Sequence, residues 1–325
     1  MTTRHAQPTV RPPHCCCGPS MGNRVREGSG ETRPRTGLTR EDLGSPGARR
    51  VDAGSGVVQS DGELIEALPP VREPLPTRIS GLAPLPDEYG HVLRAGLQAI
   101  ADCDLSADAR AAIDDHVRLL LAWNDAINLS GIRAPERIAR EHVLDSLTAV
   151  PLLRWAGIDE FVDLGSGGGY PGLPLAVALP ARRALLVESI GKKARFLTVA
   201  VDALGLADRV AVAAVRGEAI AADPHHRGRW QAVVARAVAD LTDLAELGLP
   251  LLAPGGLLVA WKRRPMDEEL LRAEKAVRQL GGQVIACDPV AVPGLEDHVL
   301  AVVQKVAATP TEFPRDPAAR RRRPL

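Results

Sequence analysis

Phe161-Val162-Asp163-Leu164-Gly165-Ser166-Gly167-Gly168-Gly169-Tyr170-Pro171-Gly172 decides the fold of this chain. An apolar stretch of strand length runs into an acid, then a glycine-rich turn, then Pro171 and Gly172 where a helix can start. That is the order of a nucleotide-type cofactor site at the end of a parallel strand. The glycines let the backbone take positive φ and approach a ligand closely. Gly167-x-Gly169-x-x-Gly172 also satisfies the dinucleotide pattern, so the turn alone leaves two cofactor classes open. Asp163 separates them. A pyrophosphate must rest on backbone N–H groups and the positive helix end, and a carboxylate two residues before the first glycine would repel it. S-adenosylmethionine offers an ammonium, a sulfonium and a ribose diol instead, all of which a carboxylate at a strand end can hold. An S-adenosylmethionine site is expected, with an NAD-dependent oxidoreductase as the competing reading.

Downstream, short apolar runs alternate with helical spacing, which predicts a mostly parallel sheet with right-handed crossovers. Strands are expected near 160–164, 184–188, 209–214, 231–235 and 256–261, with helices near 172–179, 191–204, 241–250 and 266–280. Two more strands, near 283–288 and 298–304, follow with only a Pro/Gly-containing turn between them, so an antiparallel hairpin should end the sheet. Upstream, Ser106 is an N-cap before Ile113, Val117, Leu120 and Leu121 at helical spacing. Pro135 opens a second helix through Ile138, His142, Asp145 and Leu147 toward Leu153. The expected fold class is α/β, a Rossmann-like class I S-adenosylmethionine-dependent methyltransferase sheet with an N-terminal helical appendage. The chain divides on this basis into a disordered extension (1–84), a helical appendage (85–158), the methyltransferase domain (159–307) and a basic tail (308–325).

Composition narrows the setting. Residues 1–84 are rich in Pro, Gly, Ser and Arg without apolar periodicity, which leaves too little apolar surface to offset the entropy of ordering. Lys plus Arg and Asp plus Glu are 40 each, so no bulk basic character announces nucleic acid. Charge is local instead, at Lys192, Lys193 and Arg195 and in the run Arg320 to Arg323. Either cluster alone reads first as solvated surface. Cys15-Cys16-Cys17, Cys103 and Cys287 form neither a disulfide ladder nor a CxxC pair, so free thiols in a reducing cytosol and no metal are expected. No apolar run reaches the roughly 18 residues of a membrane span, and the N-terminus shows no continuous hydrophobic core of the kind used for export, so a soluble intracellular protein is expected.

Several residues suit a cofactor at the sheet's C-terminal lip. Glu188 closes the second strand 23 residues after Gly165, where an acid can grip both ribose hydroxyls of an adenosine. NAD would use the same acid. Arg216-Gly217-Glu218 follows the third strand and can line the adenine edge with backbone groups, although Arg216 could instead pair with Glu218 on the surface. Arg236 ends the fourth strand, suited to a methionine carboxylate or a nucleic-acid phosphate, and Lys262 is its weaker counterpart after the fifth. His142 and Asp145 read first as a core histidine satisfied by its neighbour, and second as a pair orienting the appendage over the cofactor. The lip lacks the acceptor run used on exocyclic amines, and no cysteine stands there as a nucleophile for pyrimidine carbon-5. A ring nitrogen such as guanine N7 already presents a lone pair. Approximation and charge placement then suffice, and no catalytic base is expected.

Trp123-Asn124 with Asn128-Leu129, His142 with Asp145-Ser146-Leu147, the glycine turn through Tyr170-Pro171-Gly172-Leu173-Pro174-Leu175-Ala176, and Val187-Glu188-Ser189 form an ordered series. It continues through Lys192-Lys193, Phe196-Leu197, Arg216 with Glu218, Arg236-Ala237, Phe313-Pro314-Arg315 and Pro324-Leu325. Together these resemble the small-subunit ribosomal RNA methyltransferase G family, also called glucose-inhibited division protein B, which is bacterial and cytoplasmic. The resemblance implies methyl transfer to N7 of one guanine in the decoding-region loop of 16S rRNA. It puts cofactor contacts on Gly165, Tyr170, Gly217, Glu218 and Arg236, to which the chemistry above adds Asp163, Gly167 and Glu188. RNA phosphates are expected at Lys192, Lys193, Arg195, Arg315 and the terminal arginines. A cytoplasmic monomer acting on 16S rRNA or the 30S subunit, with neither membrane nor metal, follows. A ribosome-assembly factor that binds cofactor without turnover is the further alternative. Ser130 departs from the family's usual threonine, and residues 1–84 lie outside the resemblance.

Overall fold

The computed structural model describes residues 74–325 except 180, 237 and 238. The fold described here lies within the compact unit Leu68–Leu325. The disorder expected before residue 74, and Cys15-Cys16-Cys17, lie outside the described residues.

Seven strands form one sheet in the order β3-β2-β1-β4-β5-β7-β6. They are β1 Glu160–Leu164, β2 Arg183–Val187, β3 Val210–Ala213, β4 Trp230–Arg236, β5 Leu252–Arg263, β6 Gly282–Pro289 and β7 His298–Lys305. The first five are parallel neighbours, and β7 enters antiparallel between β5 and β6. The expected terminal hairpin is therefore present at the sheet edge. Because side chains alternate along a strand, Phe161 enters one apolar layer while Val162 and Leu164 enter the other. The first layer is covered by α1 Asp87–Leu97, α2 Ala107–Ile127, α3 Pro135–Ile138, α4 Asp145–Leu147, α5 Val150–Trp155, α6 Gly172–Ala178 and α7 Gly191–Ala203. The second is covered by α8 Gly217–Ala222, α9 Leu241–Gly248 and α10 Asp267–Gln279. Placing β1 between β2 and β4 puts the glycine turn at mid-sheet, on the edge where ligands bind in open parallel sheets.

Two expectations are corrected. The boundary after residue 84 falls too late. Leu75, Ile79 and Leu82 pack on the core, Trp123 Nε1 donates to the Pro76 carbonyl at 2.7 Å, and Arg118 Nε donates to the Ala83 carbonyl at 3.0 Å. The helix from Pro135 is not continuous: a π-helical turn, Ala139–Leu144, separates α3 from α4, and α5 follows as its own element. The carbonyls of Glu141 and His142 accept from Arg236 Nη1 at 2.9 and 3.4 Å, so a side chain from β4 supplies donors to that irregular turn. The basic tail packs on the domain. Phe313 is buried, Arg227 donates to the carbonyls of Thr309, Pro310 and Phe313 at 3.1, 3.0 and 2.6 Å, and α11 Pro317–Arg322 follows.

Candidate functional site

The turn after β1 uses positive φ at Gly165 (+75°), Gly167 (+57°) and Gly169 (+92°), which side chains with a β-carbon disfavour. It stays tied to β2, since the Gly165 and Ser166 N–H groups both donate to the Val187 carbonyl, at 2.8 and 3.1 Å. Glu188 completes the brace. Its Oε2 accepts from Gly167 N–H at 2.9 Å and its Oε1 from Ile190 N–H at 2.8 Å, joining the turn to the start of α7. One N–H that a pyrophosphate would need is thus already given to a carboxylate, whose charge would repel that anion. Adenosine hydroxyls meet no such obstacle, because each carboxylate oxygen keeps a further lone pair. Glu188 lines a crevice of about 310 Å³ together with Gly165, Gly217, Glu218 and Arg320.

Asp163 does not reach this crevice. Its side chain is wholly buried, Oδ2 accepts from Gly172 N–H at 3.0 Å, and Oδ1 has no partner among the described residues. Burial pushes its carboxyl up to about 7, against the lowering effect of its hydrogen bonds. The expectation that Asp163 faces the cofactor's cationic groups is corrected: it clamps the start of α6. A β-carbon on Gly172 would lie 2.5 Å from Asp163 Oδ2, so this close approach requires glycine there.

A second cavity of about 520 Å³ shares Gly165 with the crevice and is lined by Ser130, His142, Asp145, Tyr170 and Arg236 among others. Tyr170 is buried with its ring between His116, at a centroid distance of 4.6 Å, and His142, at 4.8 Å. Arg236 Nη1 meets Asp145 Oδ2 at 3.0 Å, and its guanidinium carbon stands 5.5 Å from the Tyr170 centroid. Asp145 is only 1% exposed and also takes His298 Nδ1 at 2.8 Å, while its carbonyl accepts from Trp261 Nε1 at 2.7 Å. The expected His142–Asp145 pairing is absent. His142 Nε2 lies 2.6 Å from Ser130 Oγ, and Nδ1 lies 3.3 Å from Arg236 Nη2. Burial, and then the Arg236 charge, lower its pKa to about 4. The ring is accordingly neutral at pH 7.

Other candidates are met differently. Lys192 and Arg195 are exposed on the first turns of α7, and Lys193 is half-buried beside them. Arg315 is corrected as an RNA contact: its Nε and backbone N–H donate to Glu246 Oε1 at 2.8 Å each, and its Nη2 to Oε2 at 2.5 Å. Glu218 pairs with Arg320 instead of Arg216. Lys262 Nζ is taken by Glu269 and by the Ala239 carbonyl, at 2.6 Å each. Two residues escaped the sequence reading. His298 had no local signal, since its partner lies on a distant turn. His116 had one, falling in the apolar stripe of Ile113, Val117 and Leu120; its Nε2 lies 2.8 Å from the Gly168 carbonyl. Among the described residues no group of three or more His, Cys, Asp or Glu could hold a metal ion, and no helix is long and apolar enough to cross a membrane.

The family model for rRNA small subunit methyltransferase G matches residues 109–292. A ribosomal RNA small subunit methyltransferase G from Roseiflexus castenholzii is 44% identical over 207 residues, which covers 63% of this chain and 87% of the relative. Proteins of the same name from Chloroflexus aggregans and Deinococcus radiodurans are 41% and 37% identical, covering 68% and 74% of this chain and 92% and 96% of theirs.

Proposed function

Because the chain belongs to the rRNA small subunit methyltransferase G family, we propose that it methylates N7 of one guanine in the decoding-region loop of 16S rRNA. S-adenosylmethionine is the donor, and when bound it supplies a methyl group made electrophilic by the adjacent sulfonium. The observation that carries this choice of cofactor is the Glu188 carboxylate on Gly167 N–H, which disfavours the diphosphate of the competing oxidoreductase reading. Gly165, Gly167 and Tyr170 form the floor, Glu188 faces the ribose, Gly217 and Glu218 face the adenine, and Arg236 closes the methionine end. Asp163 supports that floor from beneath.

The remaining residues hold and exclude. Methyl transfer from a sulfonium to a neutral ring nitrogen moves a positive charge without creating one, so no proton need leave before the bond forms. Holding the N7 lone pair in line with the methyl carbon is then the main task. Arg236, anchored by Asp145 and the π-turn carbonyls, gives the second cavity a fixed wall. Neutral His142 stacks on Tyr170 without adding a second cation. A guanine reaches such a cavity only from a loop or flipped out of its stack. Lys192, Lys193 and Arg195 guide the RNA backbone to it. The protein works as a cytoplasmic monomer, without a metal.

Labelled S-adenosylmethionine incubated with the purified protein and either 30S subunits or protein-free 16S rRNA tests this. Label recovered as 7-methylguanosine at a single site supports the proposal. Label on another atom refutes the N7 assignment, and cofactor binding without transfer to either RNA favours the assembly-factor reading.

A further inference from the structure

The four consecutive arginines of the C-terminus do not behave alike. Arg321, Arg322 and Arg323 are exposed, whereas the Arg320 side chain is 13% exposed and points into the wall of the Glu188–Glu218 crevice. Its Nη2 donates to Glu218 Oε1, its Nη1 stands 4.0 Å from Asp243 Oδ1, and its Nε is buried with no partner among the described residues. Nothing else among the described residues hydrogen-bonds the Glu218 carboxylate, so one oxygen is fixed by the tail and the other is left for a ligand.

The tail is built to hold Arg320 there. Arg315 locks onto Glu246, which is 1% exposed, and the next residue, Asp316, caps α11 by accepting from the N–H groups of Ala318 and Ala319 at 2.9 and 3.0 Å. Arg320 N–H then donates to the Asp316 carbonyl at 3.0 Å, one turn beyond the anchor. Such fixing removes the rotamer freedom that a long arginine would otherwise lose when the ligand arrives.

We propose that Arg320 is a positioning residue of the cofactor site, through which the C-terminal tail orients Glu218 to accept from the exocyclic amino group of adenine. The proposal rests on the crevice being the adenosine site. An ion-paired carboxylate held in one orientation discriminates strongly for a donor, because a carbonyl presented in its place leaves the acid without a proton to accept.

Calorimetry with S-adenosylhomocysteine and with S-inosylhomocysteine, in which a carbonyl replaces the amino group, separates positioning from structure. The wild type should bind the adenosine compound more than tenfold tighter. Arg320→Ala should weaken that compound about tenfold and the inosine compound little, collapsing the preference, and Arg320→Lys should restore part of it. The thermal midpoint without ligand checks that both variants fold. Gly165→Val is the control for the premise: if it still binds S-adenosylhomocysteine normally, the crevice itself is misassigned. If Gly165→Val abolishes binding while Arg320→Ala keeps the full preference, the role of Arg320 alone is refuted. Tighter binding by Arg320→Ala also overturns it, because the tail would then obstruct the site.

Discussion

At the glycine turn, acids act on backbone: Glu188 holds Gly167 and Ile190, and Asp163 holds Gly172. At the neighbouring lip an acid acts on side chains, with Asp145 gathering Arg236 from β4 and His298 from β7. The turn is therefore local, made by residues close in sequence, and its shape is set by φ angles and N–H acceptors. The lip is assembled from distant elements, and its shape is set by ion pairing. A substitution should break the first through backbone strain and the second through lost charge complementarity.

The largest effect is expected from Gly165→Val. A β-branched residue at φ +75° is strained by about 1–3 kcal/mol, and the strain falls where the two cavities meet. Cofactor binding should drop below detection by calorimetry while far-UV circular dichroism stays native. Retained affinity would show that the turn does not set the site.

Arg315→Ala comes next and concerns stability rather than the crevice floor. It leaves the buried Glu246 carboxylate without its partner, a loss of about 3–5 kcal/mol for a buried pair. Chemical denaturation should register that loss, with RNA affinity of the folded protein unchanged. Weakened RNA binding at unchanged stability would reinstate Arg315 as a phosphate contact.

The same contrast explains what could be read from the chain alone. The parallel strands, the terminal hairpin and the place of Glu188 were legible because each rests on spacing within one βα unit. Asp163 was misread although the information was present. Residues 161 and 163 share a strand face, so a side chain beside Phe161 points under α6 and away from the crevice. Arg315 reads from sequence as an RNA-phosphate contact and Arg320 first as solvated surface, because composition does not reveal which arginines meet an acid of the fold. The partnership of Asp145 with His298 depends on β7 entering beside β5, a pairing across the fold that no local pattern encodes.

Asp163→Asn sharpens the comparison through pH. The amide oxygen can still accept from Gly172 N–H, but the ionisation is removed. The wild-type carboxyl is raised from 3.8 to about 7 in the folded state, so the fold binds its proton more tightly than the unfolded chain does. The stability this gives is fully present below about pH 4 and is lost as pH rises through about 7. The melting temperature of the wild type relative to Asp163→Asn should thus fall from pH 5 to pH 8. A difference that stays flat would mean that the carboxyl titrates normally.

The smallest effect should come from the surface that neither mode of assembly involves. Lys192 and Arg195 are exposed and make no ion pair among the described residues, so replacing both with alanine should leave stability and cofactor affinity unchanged. If each neutralises one RNA phosphate, two fewer counterions are released on binding. The slope of log affinity against log salt should then shrink by about 1.4, from roughly 0.7 per phosphate on single strands. Measured on 16S rRNA by filter binding across a salt series, an unchanged slope would remove both residues from the RNA path and leave only Lys193 and the lip in the RNA-facing part of the assignment.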